Sequence, residues 1–153
     1  FSEEAFNVQD QTVVYDINGE VIATLGAEKR ESVTYDQLPQ VLIDAIIATE
    51  DSRFFQHNGV DLPRFIKATV YQLLGKDYGG ASTLTMQTVK NNLTKKETIE
   101  KSKIQKIIRK FQDVYLAVFK VEKEYSKEEI IELYVNNYNL GSNVYGVGEA
   151  AKY

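Results

Sequence analysis

Two adjacent acidic residues, Glu50 and Asp51, end an apolar stretch and are followed by Arg53, Phe54 and His57. If the stretch is a helix, the negative end of its dipole faces these carboxylates, and each acid repels the charge of the other. Both effects favour proton uptake, which suits a general base that works near neutral pH. The alternative, that both are ordinary surface acids, stays open. For His57, a hydrogen-bonded loop anchor is a simpler interpretation than a proton carrier.

A second segment, residues 80–87, joins a glycine to a hydroxyl-rich helix start that contains Ser82 and Thr83. Backbone N–H groups at a helix N-terminus bind phosphate readily. Lys90 follows Gln87 by three residues, which places both on one helix face. The segment therefore predicts an anion site, although an ordinary capped helix has the same spacing. The segment is not a P-loop, because the pattern Gly-x4-Gly-Lys is absent.

A third group of polar residues lies further along the chain. Arg109 and Asp113 are four residues apart, a spacing that suits a helical ion pair worth roughly 0.3–0.5 kcal/mol. Alternatively, Arg109 and Lys110 clamp a pyrophosphate while Asp113 orients them or holds a divalent cation. Asn136 belongs to a later polar and aromatic cluster that can bind sugar hydroxyls, but such clusters are equally common in turns that end helices.

Acidic and basic side chains are divided between two regions. Residues 1–62 contain 12 acidic and 3 basic side chains, whereas residues 90–110 contain 8 basic and 2 acidic ones. The simpler interpretation of the basic run is a solvated helix face. The other interpretation is an anion site beside an acidic one, suited to a phosphate or an anionic membrane surface.

Composition excludes several classes of function. The 153 residues suffice for one domain, and the absence of cysteine excludes disulfides and thiol nucleophiles. With His57 as the single histidine, a multi-histidine metal site cannot form within one chain. The net charge of −4 argues against a nucleic-acid partner. No apolar run reaches the roughly 18 residues that suggest a membrane span, and the start of the chain does not resemble a signal peptide.

Hydrophobic periodicity predicts a mainly α chain with a β-hairpin near its start. The hairpin pairs residues 12–15 with 21–24 around Asn18-Gly19, and it needs a packing partner because two strands alone are marginally stable. We divide the chain into a connector, residues 1–35, and a domain, residues 36–153. The predicted helices span residues 36–50, 61–74, 82–91, 94–122 and 126–137, followed by a loop over 141–148 and a helix that opens at 149.

Local signals also predict helix caps and one core-facing stripe. Asp61 and Ser82 are the predicted N-caps of the second and third helices, and capping boxes begin the next two at Thr94 and Ser126. The predicted core face of the longest helix comprises Ile104, Ile107, Ile108, Phe111, Val114, Tyr115 and Val118.

Taken together, the polar residues form four motifs in a defined order. The motifs are Glu50-Asp51-x-x-Phe54-x-x-His57-x-Gly59, Gly80-x-Ser82-Thr83-Leu84-Thr85-x-Gln87-x-x-Lys90, Arg109-Lys110-x-x-Asp113, and Ile131-Glu132-Leu133-Tyr134-x-Asn136 followed by Gly141. In these motifs the chain resembles the peptidoglycan glycosyltransferase family, glycosyltransferase family 51, which occurs in class A penicillin-binding proteins and monofunctional transglycosylases. The resemblance covers nearly the whole chain.

The resemblance implies a lysozyme-like helical fold on the outer face of the bacterial cytoplasmic membrane. It also implies a transmembrane helix before Phe1, a chain cut short before the family's last motif, and a C-terminal transpeptidase domain in a class A protein. The family polymerises lipid II into β-1,4-linked glycan strands and releases undecaprenyl pyrophosphate with inversion. The implied partners are lipid II, the growing strand and the membrane surface, without nucleic acid. No cofactor is required, and a divalent cation, Mg or Mn, is an option.

The resemblance also implies a role for each motif residue. Glu50 is the general base that deprotonates the acceptor hydroxyl, and Asp113 matches the second catalytic acid. Asp51, Phe54 and His57 shape the first motif. The residues expected to bind substrate are Asp51, Arg53, Phe54, His57, Ser82, Thr83, Gln87, Lys90, Arg109, Lys110 and Asn136, with Arg109 and Lys110 neutralising the leaving pyrophosphate.

Three departures from the family pattern motivate other hypotheses, and one of them is the expected truncation before the family's last motif. Asp113 stands where the family usually has glutamate, which shortens its reach by about 1.5 Å, and a shift of that size can cost about 100-fold in rate. Met86 replaces the first of two glutamines. A non-catalytic module that binds lipid-linked sugars is therefore one alternative, and a peptidoglycan-cleaving enzyme of the lysozyme superfamily is another. The basic residues from Lys90 to Lys110 favour the transferase, because a hydrolase with a neutral leaving group needs no pyrophosphate clamp.

Overall fold

Helices account for most of the backbone in the computed structural model, which describes residues 12–25, 29–30, 32–76, 80–94, 103–141 and 144–152. The α-helices are α1 (Gln40–Glu50), α2 (Leu62–Leu73), α3 (Leu84–Val89), α4 (Lys103–Leu116), α5 (Glu122–Glu124), α6 (Lys127–Asn137) and α7 (Val147–Ala150). The strands are β1 (Thr12–Tyr15), β2 (Val21–Leu25), β3 (Lys29–Arg30), β4 (Asn139–Gly141) and β5 (Val144–Tyr145). The prediction of a mainly α fold with an N-terminal hairpin is confirmed.

Helix α1 starts later than the sequence suggested, at Gln40 rather than at residue 36. Pro39 explains the difference, because the residue before a proline avoids the helical region. Leu38 accordingly has φ −80° and ψ 127°, and a separate 3₁₀ turn, Tyr35–Gln37, precedes it. The last turn of α1 ends at Glu50, as predicted.

The predicted 94–122 helix is interrupted by a wider turn. Helix α4 passes into a π-helical segment, Ala117–Val121, before α5. A second π-helical segment, Lys90–Thr94, extends α3. The capping box predicted at Thr94 extends beyond the described residues. Both π-helical segments pack against α3 and α4. Hydrophobic periodicity alone does not indicate these segments.

Three of the helix starts are capped by side chains. Asp61 Oδ1 accepts the Arg64 N–H at 3.0 Å, which confirms the predicted cap of α2. Ser126 and the side chain of Glu129 form the predicted capping box of α6. The prediction for α3 is wrong by one residue, because Thr83, not Ser82, accepts the Met86 N–H at 3.2 Å.

A small mixed sheet joins the two ends of the described chain. Strand β3 pairs in parallel with β5, and β4 pairs with β5 in an antiparallel sense. The loop predicted over residues 141–148 is therefore partly wrong, and α7 begins at Val147 rather than at 149. Strands of two or three residues are too short to show a period of two, so only the tertiary pairing defines them.

The β1–β2 hairpin forms in register around a turn that contains Gly19 at φ 85°. The Asp16 carboxylate accepts the N–H groups of Asn18 and Glu20, each at 2.8 Å, and orders that turn. All four side chains of β1 are exposed. The packing partner expected for the hairpin is therefore not seen among the described residues.

Helix α3 lies at the centre of the core. Five of its six residues are buried, and it contacts α4, α6 and the segment Ala117–Val121. Buried apolar side chains from the first turn after α1 and from α6 complete the core, among them Phe54, Ile130 and Ile131. The site residues on α3 are therefore held by a helix whose side chains are almost all buried.

The orientation predicted for α4 is wrong for three residues of its stripe, whereas Val114 and Val118 pack against the core as predicted. Ile108, Phe111 and Tyr115 are 52%, 64% and 56% exposed, whereas Asp113 on the opposite face is 4% exposed. Val114 and Val118 are partly buried, and the side chains of Ile104 and Ile107 lie outside those that are described. Helix α4 thus turns inward the face that carries Arg109, Lys110 and Asp113.

Gly59 is needed both for its backbone conformation and for its small size. Its φ is +85°, and a Cβ atom there would lie 3.0 Å from the backbone C and O atoms of Ala117. Gly75, at the end of α2, has φ +70° but no atom within 4 Å of such a Cβ. Substitutions at Gly59 and Gly75 share the backbone strain, but only the one at Gly59 adds a steric contact. Comparing the two therefore separates the two effects.

We expect Gly59→Ala to destabilise the fold more than Gly75→Ala. The left-handed conformation alone costs a non-glycine residue about 1–2 kcal/mol, and overpacking against Ala117 adds about 1–3 kcal/mol. Chemical denaturation of both variants measures the difference. Equal losses of unfolding free energy would show that the contact with Ala117 relaxes without cost.

Candidate active site

The carboxylate of Asp51 holds the first motif together. The residue is 1% exposed. Its two oxygens lie 3.1 and 3.0 Å from His57 Nε2, and Oδ2 also accepts the Leu84 N–H at 2.9 Å. Because a buried carboxylate needs such partners, these contacts join the end of α1 to the start of α3. The surface-acid alternative is therefore excluded for Asp51, and the contacts support His57 as an anchor of the loop.

Glu50 lies beside this anchor and is only partly buried. Gln87 Nε2 of α3 donates to Glu50 Oε2 at 2.9 Å, which fixes one of its oxygens. Tyr134 of α6 is near, since burial, followed by the charge of Glu50 and by Tyr138, raises the pKa of its hydroxyl. The hydroxyl therefore stays protonated beside Glu50. Sequence reasoning had placed Tyr134 in the fourth motif and in a polar and aromatic cluster, without relating it to Glu50.

Phe54 and Thr83 support the motif from within the core. Phe54 is fully buried, and its ring meets the His57 ring edge-on with centroids 6.3 Å apart. The buried Thr83 hydroxyl donates to the Gly59 carbonyl at 2.6 Å. Together with Asp51, these side chains are committed to protein contacts. These contacts agree with the expectation that Asp51 and Phe54 shape the first motif, and the contact of Asp51, Phe54 and Thr83 with substrate stays a prediction.

A cationic cluster forms where α4 meets the start of α3. Lys110 Nζ donates to the Ser82 hydroxyl. Burial, followed by repulsion from Lys90 and Arg109, lowers the pKa of Lys110, while Asp113 opposes the shift. Because the charges of Asp113, Lys90 and Arg109 all act on Lys110, these four side chains lie near one another. The structure thus brings together Ser82, Lys90, Arg109, Lys110 and Asp113, as predicted.

Arg53 is engaged elsewhere. Its Nε donates to Asp61 Oδ2 at 2.8 Å, and Nη2 contacts the second Asp61 oxygen. The guanidinium therefore binds both carboxylate oxygens of Asp61, the residue that caps α2. The hydrogen bond to Asp61 raises the pKa of Arg53. The side chain is still 44% exposed and lines two clefts, of about 520 and 400 Å³. Its contact with substrate stays a prediction.

Asn136 has a structural role. Its side-chain oxygen accepts the Val33 N–H at 3.0 Å, and its amide donates to the Val33 carbonyl at 2.8 Å. The side chain is buried. Both polar groups therefore fasten the N-terminal segment to α6. The contact of Asn136 with substrate stays a prediction. Tyr35 N–H donates in the same way to Glu132 at 2.9 Å.

Sequence reasoning missed Lys127, which reaches the first motif, and Glu122, which reaches Thr85 of the second motif. Lys127 Nζ lies 2.8 Å from Glu122 Oε1 and donates to the His57 carbonyl at 2.7 Å. The only sequence signal for Lys127 was its position beside the capping box at Ser126, which suggests helix initiation rather than contact with a distant turn. No local pattern connects residues 57, 122 and 127.

Protein ligands for a metal ion are few. Within the described parts of the chain, no group of three or more His, Cys, Asp or Glu side chains could hold one. Asp113 is surrounded by cations, and Glu50 bonds to Gln87. This donor set does not fit a cation held by protein ligands alone. In the same residues, no helix is long and apolar enough to span a bilayer.

The arrangement combines two chemical capacities. A partly buried carboxylate, Glu50, can accept a proton from a hydroxyl. The cluster of Lys90, Arg109 and Lys110 can stabilise charge that develops on an anionic leaving group. Helix α3 connects them, because it carries Gln87 and leads directly to Lys90. The site therefore suits transfer of a group from a phosphate ester to a hydroxyl.

Comparison with known proteins agrees with this chemistry. The family described as Transglycosylase matches residues 18–153. The chain is 42% identical over 142 residues to penicillin-binding protein 1A/1B of Bacillus subtilis, covering 92% of this chain and 15% of that protein. It is 41% identical over 140 residues to penicillin-binding protein 1A of Escherichia coli, covering 91% and 16%. With penicillin-binding protein 1A of Aquifex aeolicus, identity is 36% over 151 residues, covering 97% and 20%.

The chain thus spans one fifth or less of the length of these relatives. The family match nevertheless includes every motif residue from Glu50 to Asn136. From the four motifs, the helical fold and this match, we conclude that the chain is a transglycosylase domain and belongs to glycosyltransferase family 51, the peptidoglycan glycosyltransferases.

Proposed function

We propose that this domain polymerises lipid II into β-1,4-linked glycan strands and releases undecaprenyl pyrophosphate. The observation that carries the proposal is the connection between base and cations. Gln87 holds Glu50 from α3 at 2.9 Å, and Lys90 at the end of the same helix belongs to the cationic cluster. One short helix thus sets the distance between proton removal and leaving-group stabilisation.

Glu50 is the general base in the proposed reaction. It takes the proton of the acceptor 4-hydroxyl while that oxygen bonds to the anomeric carbon of the donor. The bond from this carbon to the pyrophosphate breaks, and its electron pair leaves with undecaprenyl pyrophosphate. A single displacement from the opposite face inverts the anomeric configuration. The bond to Gln87 leaves the other oxygen of Glu50 for the proton.

The cationic cluster stabilises the leaving group. Lys90, Arg109 and Lys110 offer N–H donors and positive charge to the pyrophosphate oxygens, and such donors strengthen as charge develops in the transition state. The Ser82 hydroxyl positions the Lys110 ammonium. Asp113, buried among these cations, orients them by charge attraction.

Exposed apolar side chains support the membrane surface as a partner. On α2, Leu62, Ile66 and Val70 are exposed, and on α4 so are Ile108 and Phe111. Apolar helix faces of this kind are typical of helices that lie in a membrane interface. Location at the extracytoplasmic face of the bacterial membrane, a transmembrane anchor and a transpeptidase domain elsewhere in the complete protein belong to the same proposal.

The non-catalytic alternative loses one of its three arguments. Met86 is 2% exposed and belongs to the hydrophobic core. Its replacement of a family glutamine therefore concerns packing and removes no group from the Glu50 environment. The departure at Asp113 still favours that alternative. The cationic cluster disfavours the hydrolase, whose neutral leaving group does not require it.

We expect Glu50→Gln to abolish polymer formation. Losing a general base costs about 10²–10⁴-fold in rate, while the amide keeps the size of the side chain. The measurement follows labelled lipid II in detergent with the complete protein. Glu128→Gln, which alters an exposed acid of α6, is the matched control and should polymerise normally.

Three outcomes distinguish the functions. Polymer from the wild type and none from Glu50→Gln supports the transferase. Binding of lipid II without polymer in either protein supports the non-catalytic module. Release of soluble fragments from finished peptidoglycan supports the hydrolase and would contradict the role proposed for the cationic cluster.

Lys110→Met tests whether the buried ammonium of Lys110 lowers the stability of the fold while it supports catalysis. Burial lowers the pKa of Lys110 below its ordinary value of 10.5, so the unfolded chain binds this proton more tightly. Wild-type stability should therefore rise with pH from the lowered pKa up to about 10.5. Removing the charge should raise the melting temperature at neutral pH and reduce kcat about 100-fold. A lower melting temperature would contradict the first expectation, and unchanged kcat the second.

We expect Asp113→Glu to preserve or raise the polymerisation rate, because it restores the family's side chain. The added methylene enters a buried position, so the unfolding free energy should fall by about 1–3 kcal/mol. Lipid II turnover and chemical denaturation measure the two effects. A large loss of rate in a folded variant would overturn the role assigned to Asp113.

A further inference from the structure

A partly buried ion pair joins three elements of the site. Lys127 at the start of α6 and Glu122 of α5 have side chains that are 19% and 6% exposed. Neither residue belongs to the four motifs described above. A buried ion pair is weak evidence for stability, because desolvation offsets much of the attraction between its charges. The contacts around this pair suggest what it does.

Lys127 holds the turn that follows Glu50. Its ammonium donates to the His57 carbonyl at 2.7 Å and lies 4.2 Å from the centre of the Phe54 ring. An ammonium has three donors, and a cation over an aromatic face is attracted to it. Lys127 therefore restrains both the backbone and a side chain of this turn.

Glu122 holds the opposite side of the site. The Thr85 hydroxyl of α3 donates to Glu122 Oε1 at 2.5 Å, and Thr85 is fully buried. Two residues along the same helix, Gln87 donates to Glu50. The ion pair thus connects the element that supplies a hydrogen bond to Glu50 with the turn that follows Glu50 in the chain.

These contacts close into a ring around the base. Asp51, which follows Glu50 directly, bonds to the His57 ring, so the turn is restrained from both sides. A displacement of the turn after Glu50, or of α3, must therefore move Glu50 relative to Gln87. The ring runs through Glu50, Gln87, Thr85, Glu122, Lys127, His57 and Asp51.

We propose that Lys127, oriented by Glu122, is a positioning residue for the Glu50 base. It does not touch substrate; it keeps the turn after Glu50 at a fixed distance from α3, so that the carboxylate meets the acceptor hydroxyl in a reactive geometry. The inference rests on the proposed role of Glu50. A misplacement of about 1 Å can cost about 100-fold in rate.

The first test measures the steady-state kinetics of Lys127→Met in the complete protein with labelled lipid II. Methionine keeps the apolar stem over Phe54 but removes the charge and the donors. We expect kcat to fall about 10- to 100-fold with KM within about twofold, because positioning affects the transition state rather than uniform binding. Lys127→Arg keeps charge and donors and should retain most of kcat. Lys123→Met, at an exposed lysine near Phe119, is the matched control.

The second test separates positioning from stability. In Glu122→Gln/Lys127→Met both charges are gone, so neither is left buried without its partner. If the pair only stabilises the fold, melting temperature and kcat recover together. If Lys127 positions Glu50, the melting temperature recovers while kcat stays low. This variant and Lys127→Arg carry the test even where Lys127→Met does not fold.

The outcomes separate this inference from the function on which it rests. If the wild type and Lys123→Met both fail to polymerise lipid II, the proposed function fails and the inference falls with it. If the wild type polymerises and Lys127→Met has the same kcat, the inference alone is overturned. A raised KM with unchanged kcat would instead assign Lys127 to substrate binding and would also overturn it.

Discussion

The buried carboxylate of Asp51 is the constraint on which the site depends. A charge that is 1% exposed must be satisfied inside the protein, and its partners come from two other segments, the His57 ring and the Leu84 N–H. These bonds end α1, close the turn and begin α3 at one point. Glu50 precedes Asp51 by one residue, so its position follows from this junction.

Helix α3 then sets the position of the Glu50 carboxylate relative to the cationic cluster. It is almost entirely buried, yet Gln87 reaches Glu50 and Lys90 joins the cluster on α4. Helix α4 contributes by facing its polar residues inward, which leaves apolar residues such as Phe111 exposed. The orientation of this helix therefore departs from the usual preference for apolar burial.

Local sequence signals succeeded where the physics is local. The caps Asp61 and Ser126 bond to N–H groups three residues away, and the helix end at Glu50 follows from nearby residues. Local sequence signals failed where contacts between distant segments decide the structure. Strand β3 exists only through its pairing with the distant strand β5, and Asn136 bonds to Val33 across 103 positions.

The sequence by itself determined the residue types, their order in four motifs, and hence the family and the chemistry of a carboxylate with basic partners. It also determined the mainly helical class, since period and caps are properties of neighbouring residues. Only the tertiary structure decided that Asp51 is buried, that α4 turns its charges inward, and that Glu122 and Lys127 meet the turn after Glu50. Burial and long-range hydrogen bonds depend on which segments meet in space, and no local pattern contains that information.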